Sequence, residues 1–145
     1  MTYVVMARFL VRFVPFFRWR GSVGQLVEPA AALAGNATSV GMPALSAASA
    51  TVRLIDRACA RLPGTSRCLP RAVALRWMLR RQPLTLLTVI AFSKVSRVGD
   101  DAYHAWVECG GEMLIGHCDR AVYEPIMVLC SDPSAFPPLF PTSPE

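Results

Sequence analysis

The stretch RCLPRAVALRWMLRRQPLTLLTVIAF, residues 67–92, decides the fold of this chain. Proline suits the first position of a helix, where its missing N–H is not needed, so the stretch predicts a helix from Pro70 to Arg81. Gln82-Pro83 ends that helix. Residues 84–92 are apolar and rich in β-forming side chains, and they predict a buried strand.

Upstream of this stretch the pattern is helical. Apolar residues recur at three- and four-residue steps over residues 44–62, which predicts a helix that Pro63-Gly64 ends. Residues 2–19 predict another helix, ended or kinked at Pro15. It either packs on the core or serves as a docking segment for a partner or a membrane surface. Residues 21–52 carry one charged side chain, Glu28, and predict short helices with a loop near residues 35–43.

Downstream the pattern changes to strands. Residues 102–109 and 112–118 flank Gly110-Gly111, a good two-residue hairpin turn, and residues 123–130 predict a further strand. Residues 132–145 hold five prolines and predict a loose tail. The fold class is therefore α+β, with N-terminal helices followed by a small antiparallel sheet. We expect one domain over residues 1–131, with a helical, partner-docking part over 1–43 and a core over 44–131.

Composition excludes several classes of protein. Hydrophobic residues make up 53% of the 145 residues and charged residues 17%, which excludes a disordered chain. No window of 18 uncharged apolar residues predicts a transmembrane helix. The five cysteines are odd in number and no signal peptide precedes them, so we expect a cytoplasmic protein with reduced thiols. Without a CxxC or HxxxH spacing, we expect neither a metal nor a cofactor.

Charge is divided unevenly along the chain. Residues 1–81 hold twelve basic and two acidic residues, a net charge of +10, and residues 82–145 hold three basic and eight acidic residues, a net charge of −5. This division is either the scatter of an arginine-rich proteome or a basic surface for an acidic peptide or protein. No stacking platform is interleaved with the arginines, so we do not expect a nucleic acid as the partner.

Cys68 and His104 are the candidate catalytic residues. Cys68 lies at a predicted helix start between Arg67 and Arg71, where the positive field favours a thiolate, although a buried structural cysteine is the alternative. His104 lies on a predicted strand, with Trp106 and Glu108 on the same face. A helix-start cysteine followed by a strand histidine is the layout of papain-like and transglutaminase-like nucleophile sites, in which the histidine transfers the proton.

A third group should orient the histidine. If the turn at Gly110-Gly111 has two residues, His117 lies opposite His104, and Asp119 lies on the same face at diagonal distance. Asp119 is therefore the candidate third member, with His117 or a backbone carbonyl as substitutes. A bulge in the hairpin would reverse this parity.

Two blocks of sequence carry a family resemblance. Residues 67–81, RCLPRAVALRWMLRR, resemble the nucleophile helix of the lasso-peptide leader peptidases, the B proteins of the transglutaminase-like superfamily. Residues 103–108, YHAWVE, followed by Gly110-Gly111, are similar to the family's histidine strand and hairpin. Many relatives place an aspartate near the position held here by residues 115–116, whereas the first acid after Glu112 in this chain is Asp119.

The resemblance implies a cysteine peptidase that removes the leader from a ribosomally made lasso-peptide precursor. It further implies an ATP-dependent macrolactam cyclase acting afterwards. A chain of this length is similar to the split form, in which a separate leader-recognition protein presents the precursor, and the N-terminal region would then be its docking surface. The alternatives are a transglutaminase-like amidase or acyltransferase on another substrate, and a non-enzymatic scaffold of a maturation complex.

Overall fold

The structure is a computed structural model that describes residues 1–36, 42–64, 67–95, 102–132 and 134–140. Five helices are described: α1 Thr2–Phe13, α2 Phe16–Val23, α3 Pro29–Gly35, α4 Met42–Arg61 and α5 Cys68–Met78. Five strands are described: β1 Gln25–Val27, β2 Leu86–Ser93, β3 Tyr103–Cys109, β4 Glu112–Ile115 and β5 Tyr123–Cys130. A single 3₁₀ turn, Arg120–Val122, precedes β5. Mixed helices and a small antiparallel sheet confirm the predicted α+β class.

The strands form one sheet in the order β1-β5-β2-β3-β4, with every described pair antiparallel. The central strands β2 and β5 correspond closely to the predicted segments 84–92 and 123–130. Strand β1 was not predicted, because three residues are too few to show a period of two. It is held against the end of β5, where Gln25 pairs with Cys130.

Proline and glycine end α1 and α4 where the sequence predicts, whereas α5 ends at Met78, three residues before the predicted end at Arg81. Pro15 separates α1 from α2, and the Trp19 indole N–H donates to the Val14 carbonyl across the break, at 3.1 Å. Helix α4 matches the predicted helix over residues 44–62, and the chain turns after it at Gly64, whose φ is +83°. The predicted loop near 35–43 lies partly outside the described residues.

Helix α5 is the central helix of the fold. Residues 72–75 are fully buried, because the helix packs against α1 and α4 and against strand β3. This core lies on one face of the sheet. The other face buries Leu87, Val89 and Trp106 under α3.

The proline-rich end of the chain also covers this second face. Phe136 packs into the second core, and the Leu139 N–H donates to the Leu26 carbonyl at 3.0 Å. The prediction of a loose tail is therefore wrong for residues 134–140, since an edge strand offered their backbone a partner. Residue 133 and residues 141–145 lie outside the described residues.

Helix α1 buries one face and exposes the other. Val4 and Ala7 are buried against the core, as a core-packing helix requires. The exposed face carries large apolar side chains: Val5, Met6, Phe9 and Phe13 are each about half exposed or more. Over the described residues, no helix combines the length and the apolar character that crossing a bilayer requires.

Candidate active site

Cys68 is the first residue of helix α5, with Arg67 in an extended conformation at the N-cap position. The helix therefore begins two residues before the predicted start at Pro70. Proline is accommodated in the third position because no N–H of the first turn has an intrahelical acceptor. The consequence is that Cys68 lies within the helix N-terminus rather than in the preceding loop.

His104 lies on β3 beside this helix start, and its side chain hydrogen-bonds with that of Cys68. Strand β4 pairs with β3 only from Val107 onward, so it does not cover the N-terminal part of β3. The Ala105 N–H in that uncovered part is directed at the Cys68 sulfur. The structure thus brings together the two residues that the sequence singled out, 36 positions apart.

The surroundings of Cys68 favour its thiolate. Burial raises the pKa of the thiol, but the hydrogen bond and charge of His104 and the backbone N–H groups of Ala105 and Leu69 outweigh it, and the pKa is lowered. Burial instead raises the pKa of the Cys109, Cys118 and Cys130 thiols. Cys68 is therefore set apart from these three by its neighbours.

The pKa of His104 shifts in the opposite direction. The hydrogen bond with Cys68 raises the pKa of the imidazole, burial lowers it, and the Gly116 carbonyl and the Cys68 charge raise it further, with a net rise. A lowered thiol pKa and a raised imidazole pKa both favour the thiolate–imidazolium pair. The arrangement can therefore supply a nucleophile and a proton donor together.

The group that orients His104 is a backbone carbonyl. The Nε2 atom of His104 lies 2.8 Å from the Gly116 carbonyl oxygen. A carbonyl only accepts, so Nε2 carries a hydrogen and Nδ1 is the nitrogen left for the Cys68 thiol. Gly116 has a φ of +78°, and a Cβ there would lie 2.5 Å from the Ala105 carbonyl oxygen. Only glycine lets the backbone approach His104 this closely.

Asp119 is not brought to His104. Its carboxylate accepts from the Ala121 N–H at 2.9 Å and caps the 3₁₀ turn. The predicted two-residue turn is present, since Cys109 pairs with Glu112, but the register shifts by one residue before Val107, which pairs with Ile115. This bulge reverses the strand parity from which Asp119 was chosen, and His117 does not bond His104 either. Of the three predicted candidates, the backbone carbonyl is the one in contact.

A buried carboxylate supports the strand that carries His104. Glu108 is 3% exposed and accepts from the Trp106 indole N–H at 2.7 Å and from Arg120 Nε at 2.9 Å. Arg120 also donates to the Gly111 carbonyl at 2.9 Å. The ion pair thus ties the segment containing Gly116 to the β3–β4 hairpin. Trp106 is 1% exposed, so it belongs to the core rather than to the wall of the cleft.

Tyr123 is a site residue that the sequence analysis missed. Its ring lies over the His104 imidazole, with centroids 5.2 Å apart and planes 30° apart. Tyr123 begins strand β5, which lies on the far side of β2 from β3, and no local signal brings its ring to His104. The long-range sheet order would have been needed to find it.

Cys68 and His104 open into a cavity of about 710 Å³. Its walls are largely apolar and include Val11 of α1 and Val52 of α4. Arg71 forms an ion pair with Asp56 at its edge. Among the described residues, the groups that lower the pKa of Cys68 are His104 and backbone N–H groups, so the predicted contribution of Arg67 and Arg71 to the thiolate is not found.

No site for a metal is apparent in the described part of the chain. All five cysteines are free, and no group of three or more His, Cys, Asp or Glu side chains among the described residues converges in a way that would hold a metal ion. The chemistry this arrangement can support is acyl transfer through a thioester, with protons moved by the imidazole.

The comparison with known proteins agrees with this geometry. The sequence model of one protein family, described as the transglutaminase-like superfamily, matches residues 10–128, well over half of the chain. Searches among curated proteins and among solved structures gave no match. The matched stretch includes Cys68, His104 and Gly116, and folds of this superfamily are typically those of cysteine-protease-like enzymes. The chain therefore belongs to the transglutaminase-like superfamily.

Proposed function

We propose that this protein is a cysteine peptidase that removes the leader from a ribosomally made lasso-peptide precursor. The observation that carries the proposal is the hydrogen-bonded Cys68–His104 pair, with its opposed pKa shifts, at the opening of a cavity. The lasso precursor as substrate is supported by the sequence resemblance of residues 67–81 and 103–108, and superfamily membership supports the cysteine-peptidase or amidase chemistry.

The proposed reaction has two acyl-transfer steps. The Cys68 sulfur attacks the carbonyl carbon at the leader–core junction, and backbone N–H groups at the helix start, including that of Cys68, stabilise the oxyanion. His104 gives its proton to the departing amine, so the core leaves with a free α-amino group. His104 then takes a proton from water, which hydrolyses the thioester and releases the leader carboxylate.

The free amine of the core fits a later ring closure. A macrolactam needs an α-amino group and a carboxyl group that has been activated, and the first of these is the product of the proposed cleavage. An ATP-dependent cyclase would supply the activation. We expect the peptidase and the cyclase to act in this order on one precursor.

We also propose that a separate leader-recognition protein docks on the exposed face of α1 and α2. Phe9, Phe13 and Phe17 are 62%, 64% and 69% exposed. Exposed aromatic side chains beside arginines are typical of protein interfaces. Val11, on the opposite face of α1, lines the catalytic cavity, so a partner on this helix would lie close to the substrate. Phe13→Ser should weaken the complex, and Leu54→Ser, at a 53% exposed apolar position on α4, is the matched control.

Mass spectrometry of the protein mixed with a candidate precursor and recognition protein tests the function. The wild type should release leader and core, and Cys68→Ala and His104→Ala should not. Cys118→Ala is the matched control, since burial raises the pKa of this thiol, and it should cleave like the wild type.

Three other outcomes would contradict the proposal. Cleavage by Cys68→Ala would exclude the nucleophile. Transfer of the acyl group to an added amine in place of water would favour an acyltransferase. Intact complexes with no cleavage by any variant would favour a scaffold.

A further inference from the structure

A second cavity, of about 540 Å³, lies between α2, β1 and α5, away from Cys68. The residues that line it include Phe17, Arg18, Arg20, Arg76 and Ser131. Its three charged side chains are all arginines, and none of the described residues lining it is acidic. No residue lines both this cavity and the catalytic one. Arg76 is eight residues along α5 from Cys68, a rise of about 12 Å.

Arg76 forms the floor of this cavity. The residue is only 9% exposed, and its Nε is buried without a hydrogen-bond partner among the described residues. No described carboxylate forms an ion pair with its guanidinium. A buried charge of this kind is costly unless it is paired and hydrogen-bonded.

Two local features could stabilise the buried charge of Arg76, but neither accepts a hydrogen bond from its guanidinium. It lies in the last turn of α5, where a positive charge is favourable, but that interaction leaves the Nε hydrogen without an acceptor. Asp132 lines a neighbouring cavity together with Arg76 but forms no ion pair with it, and its Oδ1 accepts from the backbone N–H and the hydroxyl of Ser134, at 2.9 and 2.7 Å. Cys130 is the remaining neighbour, because its charge would raise the pKa of Arg76, but burial raises the pKa of its thiol and its hydrogen is donated to the Asp132 carbonyl at 3.2 Å. The Nε hydrogen of Arg76 therefore has no acceptor among the described residues.

We propose that this cavity binds an oxyanion, a carboxylate or a phosphate group, on the Arg76 guanidinium. The planar guanidinium presents parallel N–H donors that match two oxygens of such a group. Arg20, half-buried, and Arg18, exposed, lie nearer the rim, so positive charge extends from solvent to the floor. The Arg18 guanidinium carbon lies over the Phe17 ring, 5.8 Å from the ring centroid. The site is separate from Cys68 and does not depend on the proposed peptidase activity.

The test is an NMR titration of the ¹⁵N-labelled full chain with sodium phosphate, sodium acetate and sodium chloride at matched ionic strength. The Arg76 Nε–H resonance should shift and saturate with phosphate or acetate, with a rise in Tm, and should not do so with chloride. Saturation by phosphate alone would identify the bound group as a phosphate. Saturation by acetate alone would identify it as a carboxylate.

Two variants in the cavity and one control outside it make the result specific. Arg20→Gln, at the rim, should weaken the saturating anion about tenfold, and Arg76→Gln should abolish the rise in Tm. Arg81 is exposed and lines neither the proposed anion cavity nor the neighbouring cavity that contains Asp132, so Arg81→Gln should bind the anion like the wild type. An Arg76 Nε–H shift that is equal in all three salts, or a rise in Tm that survives Arg76→Gln, would overturn the proposal. If Arg76→Gln does not fold, unchanged affinity in Arg20→Gln would do so.

Discussion

Gly116→Ala is the change that best tests how His104 is held. The φ of +78° costs an L-residue about 1–2 kcal/mol. The new Cβ would also lie 2.5 Å from the Ala105 carbonyl oxygen and 3.0 Å from Trp106 Cα, both backbone atoms of β3. Because neither can move aside without disturbing the sheet, the Gly116 carbonyl must turn away from His104 Nε2.

The loss of this contact has a calculable effect on the proposed activity. A hydrogen bond to a charged group contributes about 1.5–3 kcal/mol, and each 1.4 kcal/mol is tenfold in rate, so kcat/KM should fall about 10- to 100-fold. The pKa of His104 should fall as well, because the Gly116 carbonyl is one of the groups that raise it. Steady-state cleavage measures the first effect, and NMR titration of the His104 imidazole measures the second without any substrate.

Gly111→Ala is the matched control. Its φ is +84°, so the strain is similar, but the nearest heavy atom to a new Cβ is the Asn36 carbonyl oxygen at 4.0 Å. Both variants should lose about 1–2 kcal/mol of unfolding free energy from the strained φ, and only Gly116→Ala should lose more and change His104. A folded Gly116→Ala protein with the wild-type His104 pKa and wild-type kcat/KM would refute the assignment of the carbonyl as the orienting group.

The remaining predictions concern pH and the neighbouring carboxylates. The rate of iodoacetamide alkylation of Cys68 should rise at a lower pH than for an ordinary thiol. In His104→Ala this rise should move to higher pH, and an unchanged dependence of the rate on pH would contradict the pairing of Cys68 with His104. In the wild type, kcat/KM should rise as the lowered Cys68 pKa is passed and fall as the raised His104 pKa is passed. Asp119→Asn should change kcat/KM less than about twofold, since asparagine caps as well as aspartate; a hundredfold loss would restore Asp119 to the site. Glu108→Gln should cost roughly 1 kcal/mol in chemical denaturation, and Arg120→Gln should cost more because it leaves the buried carboxylate without its cation; equal costs would argue against that explanation.

Local signals account for much of the fold. Pro15 and Pro63-Gly64 interrupt the helices because a missing N–H, or a residue that tolerates positive φ, acts within one turn of chain. An apolar run indicated β2 because buried strands exclude charge. Strand β1 and the packing of residues 134–140 escaped prediction, since both depend on an edge of the sheet supplied by distant residues.

The sequence predicted that Cys68 and His104 form a pair, although not the distance or the bonds between them. A cysteine at a helix start and a histidine on a strand are each local features, and the resemblance joined them before any distance was known. Their pKa shifts were predictable only in part, since the sequence attributes the positive field to the helix N-terminus, with Arg67 and Arg71 adding to it. The structure assigns it to His104 and to backbone N–H groups, whose directions follow from how α5 packs on β3.

The sequence by itself determined the α+β order, the ends of α1 and α4, and the two side chains that meet at the candidate site. Only the tertiary structure decided what holds His104: the Gly116 carbonyl in place of Asp119, with Tyr123 across the ring. The physical reason is register. One bulged residue in the β3–β4 hairpin reverses which side chains share a face, and that choice depends on how a whole strand packs rather than on any short stretch of sequence.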